Sequence, residues 1–154
     1  MTEYWIYTAI LIFLIVLSAF FSGSETALTA SSKARMHSLE KQGDIRATLV
    51  TTLISKRDRL IGTLLIGNNL VNISASAIAT SLFLKLFGDS GIAWATLVMT
   101  VVVVIFGEVM PKSWAFLNAD RFALAVAPVV RIIVLLFAPF AAVVAYIVRL
   151  ILRI

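Results

Sequence analysis

The sequence predicts an all-α integral membrane protein with three transmembrane helices, short cytoplasmic helices and a kinked juxtamembrane helix. Hydrophobic residues make up 61% of the chain and charged residues 14%, with a mean hydropathy of +1.04, which is far more apolar than a soluble domain. Several apolar runs approach the ~20 residues that a helix needs to cross a bilayer. The charges lie mostly beside these runs, so the net charge of +5 indicates membrane topology and no nucleic-acid partner.

Length and cysteine content narrow the class further. The 154 residues allow one compact domain and leave little room for a separate soluble module. The absence of cysteine excludes disulfide frameworks, thiolate metal sites and cysteine nucleophiles. The basic, apolar end at Arg153 and Ile154 is expected of a chain that continues into further sequence.

The first predicted span covers residues 1–30. Tyr4 and Trp5 are typical anchors at a membrane interface. A cleavable signal peptide is the rival interpretation, but Glu3 precedes the apolar run and no Lys or Arg does, which is the reverse of a basic leader. The span is therefore predicted to be a transmembrane helix.

The end of this span carries polar residues without losing its helical pattern. Ser18, Ser22 and Glu25 follow at i, i+4 and i+7 and share one helix face. Serines in membranes often bond back to their own helix, and Gly23 could simply permit close packing. Three oxygen-bearing side chains on one face favour an ion pathway over that interpretation.

Residues 31–58 form the predicted cytoplasmic loop, in which two short amphipathic helices are predicted around Gly43. The excess of basic residues marks this side of the membrane as cytoplasmic, which places the amino terminus outside. His37, the single histidine, lies among charged neighbours and is predicted to be a solvated surface residue.

The second predicted span, residues 59–87, contains amides that are costly in lipid. Asn68 and Asn72 lie one turn apart on one face, directly after Gly67. Amide bonding between helices, at about 1 kcal/mol per contact, explains one asparagine better than several. We expect these side chains to face protein, water or an ion.

The third predicted span, residues 91–112, ends in the sequence VVVVIFGEVMPK. Glu108 is a carboxylate at the end of an apolar run, which costs a few kcal/mol unless a cation or hydrogen-bond donor meets it. Gly107 and Pro111 flank it, and Pro111 cannot donate a backbone hydrogen bond to the carbonyl of Gly107. Lys112 at the returning end agrees with a cytoplasmic position.

Residues 118–154 are predicted to form the kinked juxtamembrane helix. Pro128 and Pro139 interrupt the apolar stretch 123–154, which also carries Arg131, Arg149 and Arg153. A fourth span over residues 132–148 is long enough, but it would carry the basic carboxyl end outside. A helix that lies along the interface, bent at its prolines, is the favoured interpretation.

The polar residues of the three spans combine into one chemical type. All supply oxygen and none supplies sulfur or imidazole, which suits hard cations such as Mg²⁺, Ca²⁺ or Na⁺. Gly67 and Gly107 would let the backbone deform, so that carbonyl oxygens could join the ligands. The set consists of Ser18, Ser22, Gly67, Asn68, Gly107 and Glu108, with Pro111 as helix-breaking support.

Three ordered motifs carry a resemblance to a known family. SAFFSGSETAL at residues 18–28, IGNNLVN at 66–72 and GEVMPK at 107–112 together resemble the transmembrane domain of the CorB/CorC and cyclin M (CNNM) family of magnesium transporters. The resemblance covers nearly the whole chain. It implies a homodimer of three-span domains in the plasma membrane, with the carboxyl terminus cytoplasmic, which exports Mg²⁺ and couples this to Na⁺ entry.

The resemblance also implies partners and residue roles. Full-length relatives continue into cytosolic CBS modules that bind ATP, and often into a CorC-type domain. The family's metal-binding positions match Ser18, Ser22, Gly67, Asn68 and Glu108. Ser24, Glu25 and Asn72 are predicted as accessory residues or as a Na⁺ site. A small-residue face of the second span, made of Asn72, Ser74, Ala75 and Ala79, is predicted to form the dimer contact.

Two interpretations from other classes remain at this point. A membrane-anchored Mg²⁺ sensor, regulator or scaffold would bind the ion, or only span the bilayer, without transporting it. An intramembrane enzyme would need a serine with lysine or histidine, or two aspartates within spans. None of the three predicted spans contains an aspartate, and His37 lies in the polar loop, so we expect no enzyme.

Overall fold

A computed structural model describes residues 1–153, and these residues form helices and no strand. The predicted all-α class is confirmed. Residue 154, the last of the predicted juxtamembrane segment, lies outside the described residues. The helices are α1 (Thr2–Ala30), α2 (Lys33–Lys41), α3 (Ile45–Ser55), α4 (Arg57–Phe87), a 3₁₀ turn (Gly88–Ser90), α5 (Gly91–Val102), a π-helix (Val103–Val109), α6 (Met110–Leu117) and α7 (Ala119–Leu152).

Three helical stretches are long and apolar enough to cross a membrane, namely Thr2–Ala30, Arg57–Leu117 and Ala119–Leu152. The second stretch contains both the second and the third predicted spans, separated by the 3₁₀ turn at Gly88–Ser90. At 1.5 Å per residue, α4 alone extends about 46 Å and exceeds the ~30 Å of hydrocarbon in a bilayer.

The chain forms two compact units, the first with residues 1–23 and 67–114. In this unit α1 and α4 run antiparallel. Lys85 Nζ lies 3.2 Å from Glu3 Oε2 near one end, and Ser18 bonds Asn68 further along. The residue number on α4 decreases as the number of its contact on α1 increases, so the two helices are antiparallel.

α4 and α5 are also antiparallel, and the sharp turn between them explains two glycines. Gly88 has φ +63°, a conformation that glycine adopts at little cost. A Cβ on Gly91 would lie 2.3 Å from the Phe83 carbonyl oxygen, so only glycine permits this contact. The three helices enclose a core of Leu11, Ala75, Ala79, Leu82 and Met99.

Two of the four residues of the predicted dimer face lie in this core. Ala75 and Ala79 are 1% and 0% exposed and pack against Leu11 and Met99 of the same chain. The small side chains let helices of one protomer approach closely. They therefore do not form a free surface for a second copy.

The second unit holds residues 24–66 and the chain from Ala115 onward. The expected pair of short helices is present as α2 and α3, joined at Gly43 with φ +88°. Asp44 caps α3 by accepting a hydrogen bond from the Arg46 backbone N–H at 2.9 Å. This bond holds the pKa of the Asp44 carboxyl below its usual range.

Within the second unit, α7 contacts residues near the end of α1 and the start of α4. Asp120 Oδ1 accepts a hydrogen bond from the Ser32 backbone N–H at 2.7 Å and Asp120 Oδ2 lies 3.5 Å from Arg35. α3 also packs on α7, and residues 138–149 share a groove with residues 58–66.

This path favours the juxtamembrane interpretation over a fourth span. Residue 138 lies about 28 Å along α7 from its start, yet it still shares a groove with the first turns of α4. A fourth span parallel to α4 would have passed those turns. Pro128 and Pro139 lie inside the helix, where each removes one backbone hydrogen bond.

Candidate metal centre

The first unit brings together a serine of α1 and two asparagines of α4. Ser18 Oγ lies 2.6 Å from Asn72 Oδ1 and 3.1 Å from Asn68 Oδ1. Ser18 is 1% exposed and Asn68 7%. The antiparallel arrangement of the two helices places these side chains at the same level, so the predicted residues Ser18 and Asn68 do meet.

The oxygens of Ser18, Asn68 and Asn72 form a cluster in which only the Ser18 hydroxyl carries a hydrogen. The Ser18 hydroxyl has one proton and can donate it to only one of the two amide oxygens. One close oxygen pair is therefore left without a hydrogen between its atoms, which is unfavourable in a buried place. A cation among these oxygens would turn that repulsion into attraction.

Asn72 connects this cluster to the carboxylate. Its Nδ2 lies 3.5 Å from Glu108 Oε1, while its Oδ1 faces Ser18. The sequence predicted Asn72 only as an accessory residue. The structure gives it the central position, and the signal available in the sequence was its spacing of four residues from Asn68 on the same face.

The backbone around Glu108 is a π-helix, Val103–Val109. This form is rare in proteins, and where it occurs it is often at a functional site. The Met110 N–H donates to Ile105 O, five residues earlier. Pro111 has no N–H, so neither the Phe106 nor the Gly107 carbonyl receives a bond from that position. The expected backbone deformation beside Glu108 is therefore present.

Gly107 allows this π-helix to approach α1. A Cβ at Gly107 would lie 2.9 Å from Ser18 Oγ, which is closer than real Cβ atoms approach. The absence of a side chain at Gly107 thus leaves room for the Ser18 hydroxyl beside the π-helix.

The second glycine has another role than the one predicted from the sequence. Gly67 lies within the unbroken helix α4, so the expected backbone deformation does not occur there. A Cβ at Gly67 would lie 2.6 Å from Cε1 of the Phe21 ring. Gly67 therefore serves close packing of α4 on α1, because a larger residue would push the two helices apart.

Ser22 supplies a hydroxyl with no partner within residues 1–153. Its side chain is 0% exposed, and its Oγ forms no hydrogen bond. Other hydroxyls in the spans, such as those of Thr80, Thr96 and Thr100, bond back to their own helix. A buried, unpaired oxygen is costly, which makes Ser22 a candidate ligand.

The remaining predicted residues lie in the second unit. Ser24 is 0% exposed and its Oγ has no hydrogen-bond partner among the described residues, and Glu25 is half-buried. His37 is exposed, with Nδ1 3.8 Å from Glu40, as expected of a surface residue. Within residues 1–153 no group of three or more His, Cys, Asp or Glu residues could hold a metal.

The geometry suits a small hard cation. Adjacent ligands of octahedral Mg²⁺, bound at 2.0–2.1 Å, stand about 2.9 Å apart. The oxygen separations of 2.6 and 3.1 Å around Ser18 lie near that value and are also those of ordinary hydrogen bonds between oxygens. The hydroxyl and amide ligands are neutral, so Glu108 would supply the single negative charge that faces such an ion.

Comparisons with known proteins agree with one another. The profile of the cyclin M transmembrane N-terminal domain family matches residues 9–154. The chain is 48% identical over 112 residues to a UPF0053 protein of Haemophilus influenzae, covering 73% of this chain and 27% of that protein. It is 49% identical over 107 residues to the UPF0053 inner membrane protein YfjD of Escherichia coli, covering 70% and 25%.

A plant relative extends the range of these similarities. A chloroplastic DUF21 domain-containing protein of Arabidopsis thaliana is 37% identical over 137 residues, covering 89% of this chain and 21% of that protein. The chain thus spans about a quarter of the length of the curated relatives it matches.

Proposed function

The chain belongs to the cyclin M transmembrane N-terminal domain family, and we propose that it is the membrane domain of a transporter that exports Mg²⁺. The observation that carries this proposal is the oxygen cluster of Ser18, Asn68 and Asn72, linked through Asn72 to Glu108. Its members come from α1, α4 and the π-helix. Groups from separate helices can open and close a site as those helices move, which transport requires.

Mg²⁺ is favoured over other cations by the type and number of the ligands. Zinc or copper would select histidine or cysteine, and calcium would take six to eight oxygens at 2.3–2.6 Å. Ser18, Asn68, Asn72 and Glu108 supply fewer oxygens than that, and Mg²⁺ usually keeps several waters among its ligands. One carboxylate lets the site release its ion, because each added charge would tighten binding.

Na⁺ entry is proposed as the coupling reaction, with Ser24 and Glu25 as candidate Na⁺ ligands. The buried, unpaired hydroxyl of Ser24 supports its inclusion, since an alkali cation would satisfy that oxygen. Both residues share the ligand chemistry of the main site and lie a short distance along the same helix, α1.

Transport, not catalysis, is the proposed activity. The Ser18 hydroxyl bonds amide oxygens, which are not bases that could activate it as a nucleophile. In the proposed assembly the protein is a homodimer in the plasma membrane. Its amino terminus is outside and its carboxyl terminus is followed by cytosolic CBS and CorC-type domains, of which the CBS modules bind ATP.

The test is Mg²⁺ flux from proteoliposomes that contain a Mg²⁺-sensitive dye. The parent protein should move Mg²⁺ down its gradient, faster with an opposing Na⁺ gradient, and Glu108→Gln should not. A protein that binds Mg²⁺ at Glu108 but moves none in either gradient is a sensor or scaffold, which would contradict the transport proposal.

A further inference from the structure

We propose that a groove in the second unit, between the first turns of α4 and the last third of α7, binds an anionic phospholipid. The groove encloses about 560 Å³, within the ~300–1,000 Å³ typical of small-molecule sites. The lipid phosphate would lie at Arg59 and Arg149, and an acyl chain would lie along the apolar wall. That wall includes Gly62, Ile66, Ala138, Ala142 and Val148.

The charge of the groove favours an anion. Arg59 and Arg149 both line it, accompanied by one acid, Asp58. Within residues 1–153 neither arginine forms an ion pair. A guanidinium on an apolar membrane helix is costly unless it meets an anion or water. Its planar fork matches the oxygens of a phosphate, so a lipid headgroup would satisfy both arginines.

The wall of the groove has room for an acyl chain. A Cβ at Gly62 would meet nothing within 4 Å, so the α4 backbone is open on this side. The facing part of α7 presents alanines, whose short side chains leave a shallow apolar channel. A charged head region beside an apolar channel is the shape of a phospholipid at the edge of a leaflet, which is where a juxtamembrane helix lies.

The structure supplies variants that separate the two parts of this interaction. Arg59→Gln and Arg149→Gln remove the charges and keep the side-chain length. Gly62→Leu fills the channel and should preserve the fold, since leucine favours a helix more than glycine does. Arg131→Gln is the matched control, because Arg131 is exposed on α7 and does not line the groove.

The experiment is native mass spectrometry of the protein released from nanodiscs that contain phosphatidylglycerol and phosphatidylcholine with identical acyl chains. The parent should retain phosphatidylglycerol in preference to phosphatidylcholine. Each of the two groove arginine variants should lower this preference roughly five-fold. Gly62→Leu should lose retention of both lipids, and Arg131→Gln should match the parent. Thermal unfolding followed by circular dichroism confirms that each variant is folded.

Three outcomes would overturn the proposal. The parent could retain both lipids equally, which would indicate an apolar groove without headgroup recognition. Arg131→Gln could lower the preference as much as Arg59→Gln, which would indicate diffuse surface charge. Gly62→Leu could change the dimer fraction and leave lipid retention unchanged, which would indicate that a second copy of the chain occupies the groove. None of these variants touches the oxygen cluster, so Mg²⁺ transport is tested separately.

Discussion

Ser18 Oγ on α1 lies 2.6 Å from Asn72 Oδ1 on α4, and this contact orients the whole amide. With its oxygen toward Ser18, Asn72 turns its nitrogen toward Glu108 Oε1 at 3.5 Å. The asparagine therefore links the hydroxyl of the first span to the carboxylate of the third. Exchange of the proposed cation at Ser18 would therefore be coupled to the contact at Glu108 through this one side chain.

Asn72→Ala should weaken Mg²⁺ binding about ten-fold, because a buried partner left unsatisfied costs ~1–3 kcal/mol. Asn69→Ala is the matched control, since Asn69 is exposed on the same helix. Isothermal titration of both purified variants with Mg²⁺ measures the difference. Equal affinities for the two variants would remove Asn72 from the site.

Gly107→Ala should weaken Mg²⁺ binding and shift the π-helix, because the new methyl group would lie 2.9 Å from Ser18 Oγ. The control is Gly62→Ala, where the added Cβ meets nothing within 4 Å. Alanine in place of glycine should stabilise the helix by about 1 kcal/mol. Thermal unfolding and Mg²⁺ titration of both variants are the measurements. Unchanged affinity in Gly107→Ala would show that the Ser18 contact is not part of the site.

Ser22→Ala separates binding from stability. Its hydroxyl is buried without a partner among the described residues, so its removal breaks no hydrogen bond and should leave the melting temperature unchanged or slightly raised. Mg²⁺ affinity should fall, though less than on removal of the carboxylate. A variant that melts lower and binds Mg²⁺ normally would indicate a structural role for Ser22.

The topology is tested by single cysteines in a chain that has none of its own. Ser90→Cys, in the turn between α4 and α5, should react with an impermeant maleimide applied to intact cells. Lys41→Cys, at the end of α2, should react only after permeabilisation. Reversed labelling would contradict the orientation, and labelling of Arg153→Cys from outside would make α7 a fourth span.

The spans and the deformed backbone were predictable because they depend on local sequence. The apolar runs predicted the helices, and Gly107 with Pro111 predicted the deformed backbone beside Glu108. These signals act within a few residues of one another and need no knowledge of the tertiary fold.

The roles of Asn72, Gly67 and Ala75 were not predictable from local sequence. Whether Asn68 or Asn72 bridges to Glu108 depends on the rotation of α4 against α1, which packing of the whole core decides. The same rotation turns Gly67 toward Phe21 and Ala75 into the core. Periodicity identifies a shared face but not the neighbour that the face will meet.

Glu108 and the oxygens around Ser18 are proposed to bind Mg²⁺, and titration of Glu108→Gln with Mg²⁺ tests this most directly. The substitution keeps the shape and one oxygen but removes the charge, so affinity should fall roughly 100-fold, in line with the ~3 kcal/mol lost when a buried charge loses its partner. Asp89→Asn, an exposed acid-to-amide change, and His37→Ala should bind as the parent does. Parent-like Mg²⁺ affinity in Glu108→Gln would contradict the claim and place the ion elsewhere.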